Sequence, residues 1–167
     1  MQLNYWAPHV TVAAIIHKEG KFLLVEENAL NTDNTTNTDN TINIDNTTAE
    51  PVINQPAGHL ENNESFIDAV IRETLEETRY EFVPTYISGI YRWIHDNGET
   101  YLRVCFAGDV IKEHTELNLD TGIERAVWLT ENEVKEQQNL RSPLVVKSID
   151  DYLAGQQYPL SLIQDIN

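Results

Sequence analysis

The chain has 167 residues, enough to bury a hydrophobic core in one ordinary domain. Its 11 Lys and Arg against 27 Asp and Glu give a formal net charge of −16, so its surface should repel nucleic-acid backbones and anionic membranes. The single Cys105 excludes an internal disulfide. The sequence has neither a signal-peptide pattern nor an apolar run near 18 residues, so we expect a cytoplasmic protein that does not span a membrane.

Two β-strands are predicted near the N-terminus, over residues 10–16 and 21–26. The composition then changes, because residues 31–48 contain only Asn, Thr, Asp and Ile, with Asp-Asn-Thr repeated three times. Such a segment has too few apolar side chains to pack into a core. We therefore expect a low-complexity loop insertion at about residues 28–50.

A helix is predicted over residues 65–78, which contain neither Gly nor Pro. Ser65 and Asp68 have the spacing of a capping box at its start. The residues that recur at helical spacing and should face a core are Phe66, Ala69, Val70 and Thr74.

Glu73, Glu76 and Glu77 share one face of this predicted helix. Like charges four residues apart destabilise a helix by roughly 0.2–0.5 kcal/mol, and Arg72 can pair with only some of the three carboxylates. A hard divalent cation such as Mg²⁺ or Mn²⁺ would neutralise them. The alternative is a solvated acidic helix face.

The remaining predicted elements alternate between strands and helices. A short strand over 52–55 precedes the acidic helix, and strands over 86–94 and 100–111 flank a hairpin turn at Asp96-Asn97-Gly98. A short strand over 126–129 is followed by a helix starting at Thr130, with Glu133 completing a capping box, and by a last helix over 143–153. Hairpins imply antiparallel pairs and the acidic helix must cover a sheet, so the pattern predicts an α/β sandwich.

The spacing around the acidic helix is more specific than its composition. The spacing resembles the Nudix box of hydrolases that cleave diphosphates linked to another group. It consists of Gly, five residues, Glu, seven residues, Arg-Glu, two residues and Glu-Glu. The residues on the pattern are Gly58, Glu64, Arg72, Glu73, Glu76 and Glu77. Arg79 departs from it, since the box has Gly there to end the helix, and a non-Gly residue in that conformation costs about 1 kcal/mol.

Further segments are similar to the NudJ-like phosphatase branch of the Nudix family: residues 8–13, 54–61, 101–107, 139–145 and 155–160. The resemblance implies a single Nudix domain over residues 1–167, folded as an α/β/α sandwich with a mixed sheet. It implies a magnesium-dependent enzyme, with Mn²⁺ as an alternative, that releases orthophosphate from nucleoside triphosphates and diphosphates. It also implies activity on two thiamine-pathway pyrophosphates, hydroxymethylpyrimidine diphosphate and thiamine diphosphate.

The resemblance also implies roles for the box residues. The metal ligands would be the carboxylates of Glu73, Glu76 and Glu77 and the carbonyl of Gly58, with Glu64 supporting the metal. Arg72 would orient a ligand carboxylate through a charge-assisted hydrogen bond. The general base that activates water differs between Nudix branches, so Glu77 and Glu124 both remain candidates.

Four residues outside the carboxylate set are candidates for substrate binding. His59 follows the ligand glycine and would contact phosphate, although loop histidines are often only structural. Trp93 could stack on a heterocycle or pack against its neighbours, and either it or Tyr91 would face the cleft. Arg103 lies among apolar residues, where an unpaired charge is costly, so a phosphate contact or an ion pair would explain it. Arg141 is either a substrate contact or a brace for the last helix.

Two other classes of protein compete with the hypothesis that this chain is an enzyme. A Nudix domain that has become a binding module usually loses box glutamates, and all of them are present here. Nothing in the insertion resembles a docking motif of an acidic interaction protein. Among enzymes, a Nudix pyrophosphohydrolase of dinucleotides or RNA 5′ ends is the runner-up. We expect a monomer whose partner is a small nucleotide or pyrophosphate, with no stable nucleic-acid complex.

The insertion is expected to be remote from the chemistry. Replacing residues 28–50 with a short Gly-containing turn should leave kcat/KM within about threefold, because the segment is remote from the reacting groups. The melting temperature should hold or rise modestly, because loop-closure entropy changes by only about 0.6 kcal/mol per doubling of loop length. Steady-state kinetics and the melting temperature of the shortened protein test this. A loss of more than about tenfold in kcat/KM, with fold and metal affinity intact, would show that the segment takes part in catalysis.

Overall fold

The computed structural model describes residues 6–28 and 50–166. Within these ranges the elements in chain order are β1 (His9–Lys18), β2 (Lys21–Glu27), β3 (Val52–Asn54), β4 (Ala57–His59), α1 (Phe66–Thr78), β5 (Tyr80–Ile94), β6 (Thr100–Glu113), β7 (Ile123–Thr130), α2 (Glu131–Glu136), α3 (Leu144–Leu153) and a short 3-10 helix at Leu160–Leu162. None of the helices in the described ranges combines the length and apolar character that a membrane span requires. The predicted insertion lies largely outside the described residues.

The strands form a mixed sheet. In the described part of the chain, the order along the sheet is β3-β2-β1-β6-β5, with β4 pairing to β1 and β7 pairing to β2. The β1 and β6 strands are parallel, and the other pairs are antiparallel. The β1–β2 hairpin meets only near its turn, at His17 and Phe22, so the sheet opens away from that turn. This opening leaves room for a cleft between β4 and β7.

The core lies on both faces of the sheet, because alternate residues of a strand point to opposite sides. One face packs α1 against a cluster that includes Val12, Ala14 and Phe106. The other packs α2 and α3 against a cluster that includes Ala13 and Ile15. Helices cover both faces of a mixed sheet, which confirms the predicted α/β/α sandwich.

Helix α1 begins and ends as its sequence predicts. The Ser65 hydroxyl accepts a hydrogen bond from the Asp68 amide at 3.0 Å, and Ala69, Val70 and Thr74 are buried. At the other end Arg79 takes the left-handed conformation with φ of 64°, and its amide donates to the Leu75 carbonyl. An arginine therefore adopts the helix-ending conformation in which the box has glycine.

The prediction for β5 was wrong at its N-terminal end. The strand starts at Tyr80, directly after α1, rather than at residue 86. Its pairing with β6 shifts register between Pro84 and Tyr86, so the proline lies at an irregularity where a missing amide is tolerated. The β4 strand and the 3-10 helix were also not predicted. The other predicted strands and helices are present, with ends that differ by a few residues.

Candidate active site

A cavity of about 610 Å³ lies at the open end of the sheet. Helix α1 contributes Glu73 and Glu77 to its lining, and strand β4 contributes Gly58. The opposite wall includes Arg103 from β6 and Arg141, which precedes α3. The cavity therefore brings acidic and basic side chains from distant parts of the chain to one place.

Arg72 organises the carboxylates beside this cavity. Its guanidinium donates to both oxygens of Glu64, at 2.7 and 2.9 Å. It also donates to Glu73 at 2.7 Å and to Glu76 at 3.1 Å. The hydrogen bonds from Arg72 lower the pKa of Glu64, which keeps this carboxylate ionised. One arginine thus fixes the orientation of three glutamates.

Glu77 is buried, and one of its oxygens accepts a hydrogen bond from the Ala57 amide at 2.9 Å. Burial raises its pKa well above the usual value, and the negative charges of Glu27, Glu73 and Asp120 add to the rise. Burial also raises the pKa of Glu73. This end of the cavity concentrates more negative charge than the protein neutralises.

Gly58 is required by the closeness of β4 to α1. A Cβ atom at this position would overlap the Glu73 carboxylate. The absence of a side chain therefore lets the Glu73 carboxylate lie directly against the backbone of β4. A backbone carbonyl beside carboxylates forms the kind of oxygen-rich surface that hard divalent cations prefer.

The donor set fits a divalent cation such as Mg²⁺. The donors at this end of the cavity are hard oxygens, and the raised pKa values of Glu73 and Glu77 show carboxylates that a cation would hold in their ionised form. In the arrangement seen here, no three acidic, His or Cys side chains of the described residues are grouped closely enough to enclose an ion. Arg72 instead holds Glu73 and Glu76 in ion pairs.

Arg103 is the most buried cation of the opposite wall, with 9% of its surface exposed. Its Nε atom donates to the Thr11 hydroxyl at 3.4 Å, while its Nη1 atom is buried and has no hydrogen-bond partner among the described residues. Burial lowers its pKa, and Glu27 and Glu77 act in the opposite direction. A buried guanidinium with an unused donor can bind an oxyanion.

Aromatic rings form a row along one side of the cavity. The Trp93 ring lies 5.4 Å from the Tyr101 ring and 5.0 Å from the His95 ring. His9 stacks on Tyr101 at 4.8 Å and meets the edge of His59 at 5.5 Å.

Trp93 and His59 are therefore in position to contact a ligand in the cavity. Tyr91 is not, because its hydroxyl donates to Asp151 of α3. Burial lowers the pKa of His59, and the charges of His9 and Arg103 lower it further. Its imidazole is therefore neutral near pH 7.

The structure brings together most of the residues that the sequence singled out. Those that line the cavity are Gly58, His59, Glu73, Glu77, Trp93, Arg103 and Arg141. Glu64, Arg72 and Glu76 lie beside it in the ion-pair network. Glu124 is different, because it is exposed on β7 and is not among the lining residues.

Several lining residues were not predicted, among them Glu27, Asn54 and Asp120. Asn54 is 4% exposed and its Oδ1 has no partner in the described part of the chain. The predicted second strand ended at Glu26, and the adjacent carboxylate of Glu27, which the structure includes in β2, was the only signal for this residue in the sequence. Nothing there indicated which of the two carboxylates points inward.

Comparisons with known proteins agree on one family. A model of the NUDIX domain matches residues 7–147. Phosphatase NudJ of Escherichia coli is 39% identical over 160 residues, which cover 96% of this chain and 93% of that protein.

A NUDIX hydrolase from Nitrosomonas europaea has a similar solved structure, with a TM-score of 0.82 and 43% identity over 96% of this chain and 98% of the other. The MutT protein of Methanosarcina mazei matches with a TM-score of 0.63 at 21% identity, covering 90% of this chain and 97% of the other, which supports the fold alone.

Proposed function

This chain belongs to the NUDIX family and is a Nudix hydrolase, and on that premise we propose that it is a metal-dependent phosphatase of phosphoanhydride bonds. Its substrates are nucleoside triphosphates and diphosphates, from which it releases orthophosphate. The observation that carries the proposal is a cavity with Glu73 and Glu77 on one wall and Arg103 and Arg141 on the other. A polyphosphate needs such a combination, since the acidic wall can bind it only through a cation.

The proposed metal ligands are the three carboxylates of Glu73, Glu76 and Glu77 and the carbonyl of Gly58. Mg²⁺ is the expected ion and Mn²⁺ the alternative. A bound divalent cation offsets charge on the transferred phosphoryl group and lowers the pKa of a water molecule. Glu64 acts through Arg72, whose bond to Glu73 at 2.7 Å fixes the carboxylate next to β4.

The proposed substrate contacts lie on the other walls. Arg103 and Arg141 bind phosphate oxygens, and the unused Nη1 donor of Arg103 supports this role. Neutral His59 offers a ring nitrogen to phosphate without adding charge. Trp93 stacks on the heterocycle of the substrate, for which the ring row provides a rigid backing.

The thiamine-pathway pyrophosphates, hydroxymethylpyrimidine diphosphate and thiamine diphosphate, are further proposed substrates. Each combines a heterocycle, on which Trp93 can stack, with a diphosphate, which Arg103 and Arg141 can bind. The name Phosphatase NudJ of the 39% identical relative supports release of phosphate but names no substrate. A monomer in the cytoplasm remains our prediction.

The released product tests this proposal. Wild-type protein with Mg²⁺ is incubated with nucleoside triphosphates, thiamine diphosphate and a dinucleoside polyphosphate, and both orthophosphate and pyrophosphate are measured. We expect orthophosphate as the first product from a triphosphate, followed by a second turnover on the diphosphate. The phosphatase assignment would be withdrawn if pyrophosphate were the sole first product, or if the protein preferred dinucleotides or RNA 5′ ends. Either result would favour a Nudix pyrophosphohydrolase instead.

A further inference from the structure

Glu27, the last residue of β2, lines the cavity beside an irregularity in the sheet. Glu26 pairs with Arg125 of β7, but Glu27 pairs with Ile123, so β7 has one extra residue, Glu124, at this point. Such a bulge re-aims side chains near a sheet edge. Here it leaves Glu124 exposed at the surface and Glu27 in the cavity lining.

The carboxylate of Glu27 has one oxygen that the described residues leave unpaired. Its Oε1 atom is buried and has no hydrogen-bond partner among the described residues. The neighbouring Glu26, in contrast, binds both Nε and Nη2 of Arg125, at 2.6 and 2.7 Å. A buried carboxylate oxygen that the described residues leave unpaired can accept a hydrogen bond from a water molecule or a ligand in the cavity.

Glu27 lines the same cavity as both halves of the site. Its negative charge acts on Glu77, on the acidic wall, and on Arg103, on the basic wall. A water molecule bound to Oε1 would therefore lie in the cavity that holds both the proposed metal ligands and the proposed phosphate-binding arginine. Displacement at phosphorus needs a residue that orients such a water.

The other carboxylates that line the cavity are occupied or exposed. One oxygen of Glu77 accepts from the Ala57 amide, and Glu99 accepts from Asn97. Asp120 is exposed, and its Oδ1 accepts from the Thr121 amide at 2.7 Å. Glu27 is the lining carboxylate with a buried oxygen that lacks a partner.

We propose that Glu27 is the general base of the reaction, an inference that rests on the proposed function. The Oε1 atom takes a proton from the water while the water oxygen forms a bond to the terminal phosphorus. The bond from that phosphorus to the bridging oxygen breaks, and the bridging oxygen keeps its electron pair on the leaving nucleotide. Orthophosphate forms, and the proton on Glu27 returns to solvent or to a product oxygen.

Glu27→Gln tests the proposal because glutamine keeps the size and the acceptor oxygen but takes no proton. We expect kcat to fall by about 10² or more, in line with typical general-base contributions, while KM stays within about threefold. The rise in melting temperature caused by Mg²⁺ should equal that of the wild type, since Glu27 is not a proposed ligand. Glu26→Gln, one residue away and outside the cavity lining, is the matched control and should keep wild-type kcat.

Other outcomes would overturn the assignment. A kcat of Glu27→Gln within about threefold of wild type rejects it, and a large loss in Glu124→Gln alone would move the role to Glu124. Loss of the Mg²⁺-induced rise in melting temperature in Glu27→Gln would make Glu27 a metal ligand instead. If Glu27→Gln does not fold, Glu27→Asp keeps a carboxylate at shorter reach and must retain more activity than Glu27→Ala. A wild-type protein without hydrolase activity would refute the proposed function rather than this inference alone.

Discussion

Replacing Glu77 with Gln is expected to lower kcat in the presence of Mg²⁺ by at least about 10³. Metal ions contribute several kcal/mol to phosphoryl transfer by stabilising charge and activating water, and loss of one ligand removes much of this. Glutamine keeps the oxygen that accepts from the Ala57 amide, so the contact between α1 and β4 should survive. Initial rates with saturating nucleoside triphosphate, measured over a range of Mg²⁺ concentrations, give the effect.

The same variant makes a prediction about stability. Burial and nearby negative charge raise the pKa of Glu77 in the folded protein. The folded state therefore holds this proton to higher pH than the unfolded state, and stability decreases as pH rises from the unfolded pKa through the raised folded pKa. Without metal at neutral pH, Glu77→Gln should melt at the same or a higher temperature than wild type.

Mg²⁺ should reverse this order, because it binds the folded wild type and stabilises it by an amount that grows with the logarithm of its concentration relative to Kd. The exposed Glu136→Gln should behave as wild type in both measurements. Near-wild-type turnover of Glu77→Gln with Mg²⁺ would contradict the metal-site assignment.

Replacing Arg103 with Met is the second change with a large expected effect. The value of kcat/KM for a nucleoside triphosphate should fall about 100-fold, equal to about 2.7 kcal/mol, because a charge-assisted contact to phosphate is lost in a buried site. Inhibition by added orthophosphate should weaken as well. Lys should restore only part of the activity, since it cannot reproduce the geometry of a guanidinium.

Stability should respond in the opposite direction. The Nη1 donor of Arg103 is buried and has no partner within residues 6–28 and 50–166, so an apolar side chain of similar length removes a desolvation cost. We expect the melting temperature to hold or rise. Arg92→Met, on the adjacent strand and exposed, is the control and should keep its activity. A kcat/KM of Arg103→Met within about threefold of wild type would remove Arg103 from the substrate site.

The sequence predicts the elements whose information is local. Ser65 caps α1 as its spacing with Asp68 indicates, and the alternation of Val12, Ala13 and Ala14 between the two core faces follows from the strand period. The start of β5 could not be predicted in this way, because Pro84 argues against a strand. Its position at an irregularity on the outer strand is visible only once the pairing with β6 is known.

The same distinction between local and long-range information applies to the residues of the candidate site. The box carboxylates could be predicted because they repeat along one helix, and Arg103 because a charge stands among apolar residues. Glu124 was a sequence candidate and Glu27 was not, because the pairing that exposes Glu124 at a bulge beside Glu27 joins two strands about 100 residues apart. The orphaned oxygen of Asn54 is likewise a property of packing between distant segments.

The most direct test of the account is hydrolysis of a nucleoside triphosphate by the wild-type protein in ¹⁸O-enriched water, followed by phosphorus NMR, with Mg²⁺ and with chelator. The account predicts that the label appears in the first orthophosphate released, that the nucleoside diphosphate formed is unlabelled, and that chelator stops the reaction. Label in a nucleoside monophosphate with release of pyrophosphate, or turnover that persists in chelator, would contradict it.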